Sequence, residues 1–167
     1  MAVAIKEMGF TNIKIYNGGL KDWKKAGYPI ESLLPLGVDE NNGRFISPED
    51  LWNKIQEAEA RGCLDGDGNP LLTLVDYRVE NFLEGTDHPV AVRFRCTTIR
   101  VLLDDLMIPV KREKIPRTGL VVVMSETGNR DWAAMSYLSK FGYSNVVGLE
   151  NGMRGWIKAE LPVEPSK

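Results

Sequence analysis

The chain has 167 residues, 43% of them hydrophobic and 26% charged, with a formal net charge of −2; that accommodates one ordinary domain with a real core and a short appendage. The charge balance offers no basic field for nucleic acid, and no apolar stretch approaches the roughly 20 residues of a membrane span. Two cysteines, Cys63 and Cys96, are too few for a disulfide scaffold, and with a single histidine they leave no structural zinc set.

At the N-terminus, Met-Ala-Val-Ala-Ile runs straight into Lys6 and Glu7, without the shape of a secretory signal. A soluble, cytoplasmic protein is the first expectation; a signal upstream of Met1 would make it periplasmic. Gly9 reads as a helix C-cap, Ile13–Tyr16 as a short strand, and the stretch carrying Trp23 as a short helix ending before Pro29. Residues 32–45, with Pro35, Gly37 and an Asp-Glu-Asn-Asn-Gly run, read as a linker. A helix starts at Ser47, with Pro48 at its first position and Asp50 completing a capping pattern; Leu51, Ile55 and Ala58 form its apolar face, and Gly62 ends it. Asp65-Gly-Asp-Gly-Asn-Pro imitates a calcium loop, but Pro70 and Asp76 stand where Gly and Glu belong, so a surface turn is the better reading.

Leu71–Asp76 is a buried strand, Asn81–Glu84 a helical turn, Val90–Phe94 a second strand, and Ile99–Leu106 mostly helical. Lys111-Arg112-Glu113-Lys114 reads as a solvated charged face. Leu120–Met124 is a third strand, Trp132–Phe141 a helix with Trp132 in the core, and Val146–Leu149 a further strand. Alternating strands and helices predict a parallel α/β sheet.

The chain also repeats itself. Residues 9–31 align without a gap on residues 142–164, with eight identities: Gly9/Gly142, Asn12/Asn145, Gly19/Gly152, Trp23/Trp156, Lys25/Lys158, Ala26/Ala159, Pro29/Pro162 and Glu31/Glu164. The second copy closes the main domain. Residues 1–31 therefore read as the closing remnant of an absent upstream repeat, residues 32–45 as linker, and residues 46–167 as a complete domain. Ile5, Met8, Phe10, Ile13, Ile15, Trp23 and Tyr28 are too much apolar surface to leave exposed. The stub is expected to dock on the main domain or on a second chain, which would make a homodimer.

The chemistry is expected where the third strand ends. Ser125 follows Met124 at a strand-to-helix junction, where anions bind in parallel α/β sheets. Serine needs an adjacent base to become a nucleophile, and His88 is the one histidine.

These pieces, taken in order, resemble a rhodanese-like domain. Ser-Pro-Glu-Asp-Leu resembles its opening, and Leu-Val-Asp-Tyr-Arg its strand-end Asp-x-Arg, followed by Glu80, Phe82, Glu84 and Gly85. His88 with Ala91, the run Val-Val-Val-Met-Ser-Glu-Thr-Gly-Asn-Arg and the tail Leu-Glu-Asn-Gly-Met-x-x-Trp continue the match. The resemblance implies a five-stranded parallel sheet with helices on both faces. It implies an active-site loop of Ser125, Glu126, Thr127, Gly128, Asn129 and Arg130, supported by Asp76, Arg78 and His88, with no cofactor and no metal.

In the family's sulfurtransferases a cysteine opens this loop and carries sulfur as a persulfide. Here Ser125 stands in that place, and a hydroxyl cannot accept and release sulfane sulfur. Glu126 is expected to repel anionic donors at the loop mouth, and Arg130 to pair with Asp76. Four residues between Ser125 and Arg130 make a loop too short for the related phosphatases. Cys63 and Cys96 read as incidental thiols, with Cys96 a candidate for a lowered pKa among Arg93, Arg95 and Arg100. The expected function is a binding or regulatory module without sulfurtransferase activity, taking a small anion or sulfur compound at the loop. The alternative is a thiosulfate-type sulfurtransferase whose cysteine was changed to Ser125 or lies in the upstream repeat. A third reading, a serine hydrolase built on Ser125 and His88, predicts labelling by a phosphonate.

Overall fold

The computed structural model of the chain describes residues 9, 11–14, 16, 19–29, 44–78 and 89–165. Two compact units are present, Met1–Glu40 and Asn41–Lys167. None of the described helices is long and apolar enough to cross a membrane.

The first unit holds helix α1 (Gly19–Lys25). Trp23 meets Tyr16 edge to face and Tyr28 at a tilt, with ring centroids 5.4 and 4.9 Å away, and its indole Nε1 donates to Pro29 O at 2.9 Å. Ile13, Lys14 and Tyr16, the described residues of the strand expected here, are not in a strand. A β-strand needs a neighbouring strand for its amides and carbonyls, and among the described residues of this unit none is a strand; Tyr16 O instead accepts from Gly19 N at 3.2 Å, at the start of α1.

The second unit contains the expected parallel sheet. In chain order its elements are β1 (Phe45–Ile46), α2 (Pro48–Ala60), β2 (Leu72–Asp76), β3 (Val90–Val92) and β4 (Thr97–Arg100). A 3-10 turn (Asp104–Met107), α3 (Pro109–Arg112), β5 (Leu120–Met124), α4 (Asp131–Lys140), β6 (Val146–Leu149), α5 (Gly152–Lys158) and β7 (Val163–Pro165) follow. Five strands form one sheet in the order β1-β6-β5-β2-β4, every pair parallel. The register places Asp76 opposite both Met124 and Arg100, so the strands around Ser125 end together.

Apolar side chains alternate across β5. Val122 and Met124 pack with Leu51, Ile55 and Trp156, while Val121 and Val123 pack with Ala134, Met135 and Leu138. Helices α2 and α5 thus cover one face of the sheet and α4 the other. Ser47 Oγ accepts from Asp50 N at 3.0 Å, which caps α2 as its Ser-Pro-x-Asp pattern predicts. The carboxylate of Asp65 accepts from the amides of Asp67 and Asn69, so the calcium-like sequence is an Asp-capped turn.

Several expectations are corrected. Val90–Phe94 does not enter the main sheet: β3 pairs antiparallel with β7. The edge strand beside β2 is β4, whose last two residues, Ile99 and Arg100, fall in the stretch read as helical. Thr97, Thr98 and Ile99 are β-branched, and β4 alternates half-buried and exposed positions as an edge strand does. Trp132 is 55% exposed, on the outer side of α4. Arg112 leaves the solvated face: it is buried, lies 3.5 Å over the Phe141 ring and donates to Leu106 O. Phe45, placed in the linker, opens β1 beside β6.

The cysteines are corrected too. Cys63 and Cys96 form a disulfide and leave no free thiol. Cys63 stands in the turn after α2 and Cys96 just before β4, with their Cα atoms 5.4 Å apart, inside the range a disulfide spans.

Candidate functional site

The apolar run of β5 ends at Met124, and the next residue turns into the core at the carboxyl edge of the sheet. Ser125 is only 1% exposed, and its Oγ accepts the Gly128 amide at 2.9 Å. Gly128 adopts φ +79, a backbone state that glycine reaches without penalty. Its carbonyl accepts from Asp131 N, and Arg130 precedes the first turn of α4. Among the described residues nothing accepts from the amides of Thr127, Asn129 and Arg130. Thr127 and Asn129 are exposed. With Phe45, Gly128, Glu150 and Asn151 they line an open cleft of about 290 Å³.

The start of α5 anchors the loop. Met153 N donates to Ser125 O at 2.9 Å and Arg154 N to Glu126 O at 3.0 Å. The approach is so close that a Cβ on Gly152 would lie 2.3 Å from Ser125 O and 2.6 Å from Gly128 N. Gly152 is therefore part of the loop's construction.

The charges are arranged differently from the sequence expectation. Glu126 does not stand at the loop mouth as an unpaired repelling charge; it is buried. Its carboxylate meets Arg78 Nη1 at 3.5 Å and Arg154 Nε at 3.3 Å. Asp76 is paired with Arg78 rather than Arg130, through Nη2 at 2.7 Å and Nε at 3.0 Å. Arg78 lies only two residues beyond Asp76 and curls back, donating also to Val90 O. Asp76, Arg78, Glu126 and Arg154 form a connected ion-pair web beneath the loop.

Ser125 has neighbours that the sequence reading did not weigh. The Tyr77 hydroxyl donates to Asp131 Oδ1, and both residues are fully buried. Asp131 Oδ2 is buried with no hydrogen-bond partner. Burial pushes the Asp131 carboxyl above the ordinary carboxylate range, against the opposing influence of the facing Ser125 hydroxyl and of Tyr77. Burial first, and then the Asp131 charge, push the Tyr77 phenol well above its usual value. Signals existed for two of these residues. Tyr77 is the middle residue of Asp-x-Arg, and Gly152 is a repeat identity with Gly19. Asp131 stands just before the predicted helix Trp132–Phe141 and carries no comparable signal.

His88, Glu80, Phe82, Glu84, Gly85 and the expected helical turn Asn81–Glu84 lie outside the described residues. The structure brings together Ser125, Glu126, Gly128, Asp76 and Arg78, adds Tyr77, Asp131, Gly152 and Arg154, and leaves Arg130 half-buried at the cap of α4.

No protein-family model matches the chain. A curated protein described as a sulfurtransferase, from Allochromatium vinosum, is 33% identical over 57 residues, which cover 34% of this chain and 53% of that protein. The chain thus spans about half the length of the curated relative it matches. A crystal structure of a rhodanese-related protein from Thermoplasma volcanium is 25% identical, with a TM-score of 0.52, covering 72% of this chain and 97% of that one. The solution structure of a rhodanese-like domain from Anabaena shares the fold at 14% identity, with a TM-score of 0.50 and 73% and 79% coverage. With its five parallel strands, flanking helices and strand-to-helix loop at Ser125, the chain has the fold of rhodanese-like domains and is similar in sequence to a protein described as a sulfurtransferase.

Proposed function

We propose that this domain is a binding or regulatory module that does not transfer sulfur. The observation carrying this reading is that the chain offers no thiol: an oxygen occupies the position that opens the loop, and both cysteines are joined to each other. A persulfide intermediate requires a thiolate sulfur. The unpaired amides of Thr127, Asn129 and Arg130 and the cleft beside them support binding of a small anion or an acidic group of a partner. The test is thiocyanate formation from thiosulfate and cyanide by the whole chain without reductant. Background rates are expected, and robust turnover would overturn the reading.

The curated relative's description as a sulfurtransferase and the loop's preserved length favour a second reading. In it, the cysteine of an active enzyme has become Ser125 or lies in a preceding repeat. Robust turnover by Ser125→Cys would support it, and a silent Ser125→Cys with an intact fold would count against it.

Residues 1–31 are proposed to be the closing segment of a second rhodanese-like repeat. Local geometry supports this: Trp23 donates to Pro29 O as Trp156 donates to Pro162 O, and Gly19 and Gly152 share φ values of +60 and +56. Trp156 is fully buried beside Trp52, whereas Tyr16 and Tyr28 around Trp23 stay about half exposed. That exposed aromatic cluster favours cover by a further domain or by a second copy of the chain, the homodimer among them. A sedimentation measurement reading a monomer, with a protease-labile stub, would refute docking. The Cys63–Cys96 bond favours an oxidising compartment over the cytoplasm.

A further inference from the structure

We propose that Asp131 is the specificity-determining residue of this loop: its buried carboxyl makes position 125 a seat for a neutral hydroxyl and unfit for a thiolate. The inference rests on reading residues 125–130 as the family's loop. It assigns the departure from sulfur chemistry to Asp131 rather than to Glu126.

The two acidic residues differ in what neutralises them. Glu126 lies between the guanidinium groups of Arg78 and Arg154, so its charge is met. Asp131 has no cation within ion-pair distance among the described residues. Its Oδ1 accepts from Tyr77, its Oδ2 has no partner, and the Ser125 hydroxyl faces it. The residue has no solvent exposure to screen it.

A hydroxyl suits this position because it works in two directions. Its lone pairs take the Gly128 amide at 2.9 Å while its proton can turn toward the carboxyl. A thiolate could accept from Gly128 but would have no proton to offer Asp131. Two like charges would then face each other where water is excluded, which raises the pKa of one of them.

The charged and titratable groups around the position come from three elements. Asp131 belongs to α4, Tyr77 follows β2, and the loop supplies Arg130 and the ion-paired Glu126. Tyr77 is held neutral, and Arg130, which acts on Tyr77 through its charge, is half-buried at the cap of α4. Asp131 is thus the one carboxyl facing the Ser125 side chain without a paired cation among the described residues; the hydroxyls of Ser125 and Tyr77 and the amides of Ser125 and Leu149 favour its charged form, and burial opposes it. Serine at position 125 and aspartate at 131 form a matched pair.

The test uses the full chain with its disulfide intact, so that Ser125→Cys introduces the sole free thiol. Thiolate absorbance in the ultraviolet is titrated for Ser125→Cys and for Ser125→Cys/Asp131→Asn, with circular dichroism confirming the fold. The single variant is expected to titrate above the ordinary thiol value of about 8.5. The double variant is expected at least about one unit lower, a tenfold gain in thiolate at intermediate pH. A single-variant value below about 8.5, or equal values in the two variants, would overturn the proposal. If the double variant does not fold, the single-variant value decides alone. Thiocyanate formation by the unmodified chain tests the functional reading separately, because it does not depend on the introduced thiol.

Discussion

Replacing Gly152 with alanine isolates the contact on which the loop is built, and the repeat supplies a control within the same chain. At Gly152 an added Cβ would lie 2.3 Å from Ser125 O, 2.6 Å from Gly128 N and 2.9 Å from Glu126 C. All three are backbone atoms, so no side chain can swing away to relieve the clash. The residue also has φ +56, which costs an L-residue roughly 1–2 kcal/mol. Overpacking against fixed backbone adds about 1–3 kcal/mol, for a total of about 2–5 kcal/mol. At Gly19 the φ is +60 but nothing among the described residues lies within 4 Å of the added Cβ, so Gly19→Ala carries the conformational cost of about 1–2 kcal/mol without the clash. Urea unfolding followed by tryptophan fluorescence, compared at the transition of the larger unit, measures both. A Gly152→Ala loss below about 1 kcal/mol would refute the claim that α5 and the loop are in fixed contact.

Further outcomes follow from other contacts. Trp156→Ala should cost the larger unit about 3–5 kcal/mol, because the side chain is fully buried beside Trp52; a loss below about 1 kcal/mol would contradict this packing. Reducing the disulfide, which joins positions 33 residues apart, should lower stability by about 4 kcal/mol in the chain-entropy account, and an unchanged melt in reductant would sink this. Asp131 has a folded pKa raised by burial, so the folded state holds its proton to higher pH than the unfolded chain does. Its contribution is therefore most favourable in acid and is lost as pH rises from about 3.9 through the folded pKa. Asp131→Asn should gain stability relative to the unmodified chain across that window and then level off; a pH-independent difference would refute the titration.

Local chemistry made much of this fold legible. Ser47-Pro48 with Asp50 marked the start of α2, and the apolar runs at Leu72–Asp76 and Leu120–Met124 marked the two central strands. The polar break after Met124 located the loop. What failed depended on partners distant in sequence. Val90–Val92 and Thr97–Arg100 are both short and β-prone, and only their pairing with β7 and β2 decides which joins the main sheet. Ile13–Tyr16 aligns with Val146–Leu149 in the repeat but has no neighbouring strand among the described residues. Cys63 and Cys96 meet because the turn after α2 and the entry to β4 lie side by side.

At the site, spacing identified the loop but not the charges beneath it. Glu126 looked like a repelling charge because its sequence neighbours are neutral, whereas its cations come from β2's end and from α5. Asp131 carries no signal of its own in the sequence, and only folding puts it against Ser125 and Tyr77.

The central claim is that no sulfur is carried on this chain. Its most direct test is the intact mass of the whole, unreduced chain after incubation with thiosulfate and, separately, with a low-molecular-weight persulfide. The account predicts an unchanged mass, with the Cys63–Cys96 bond intact. A stable gain of one sulfur atom would contradict it.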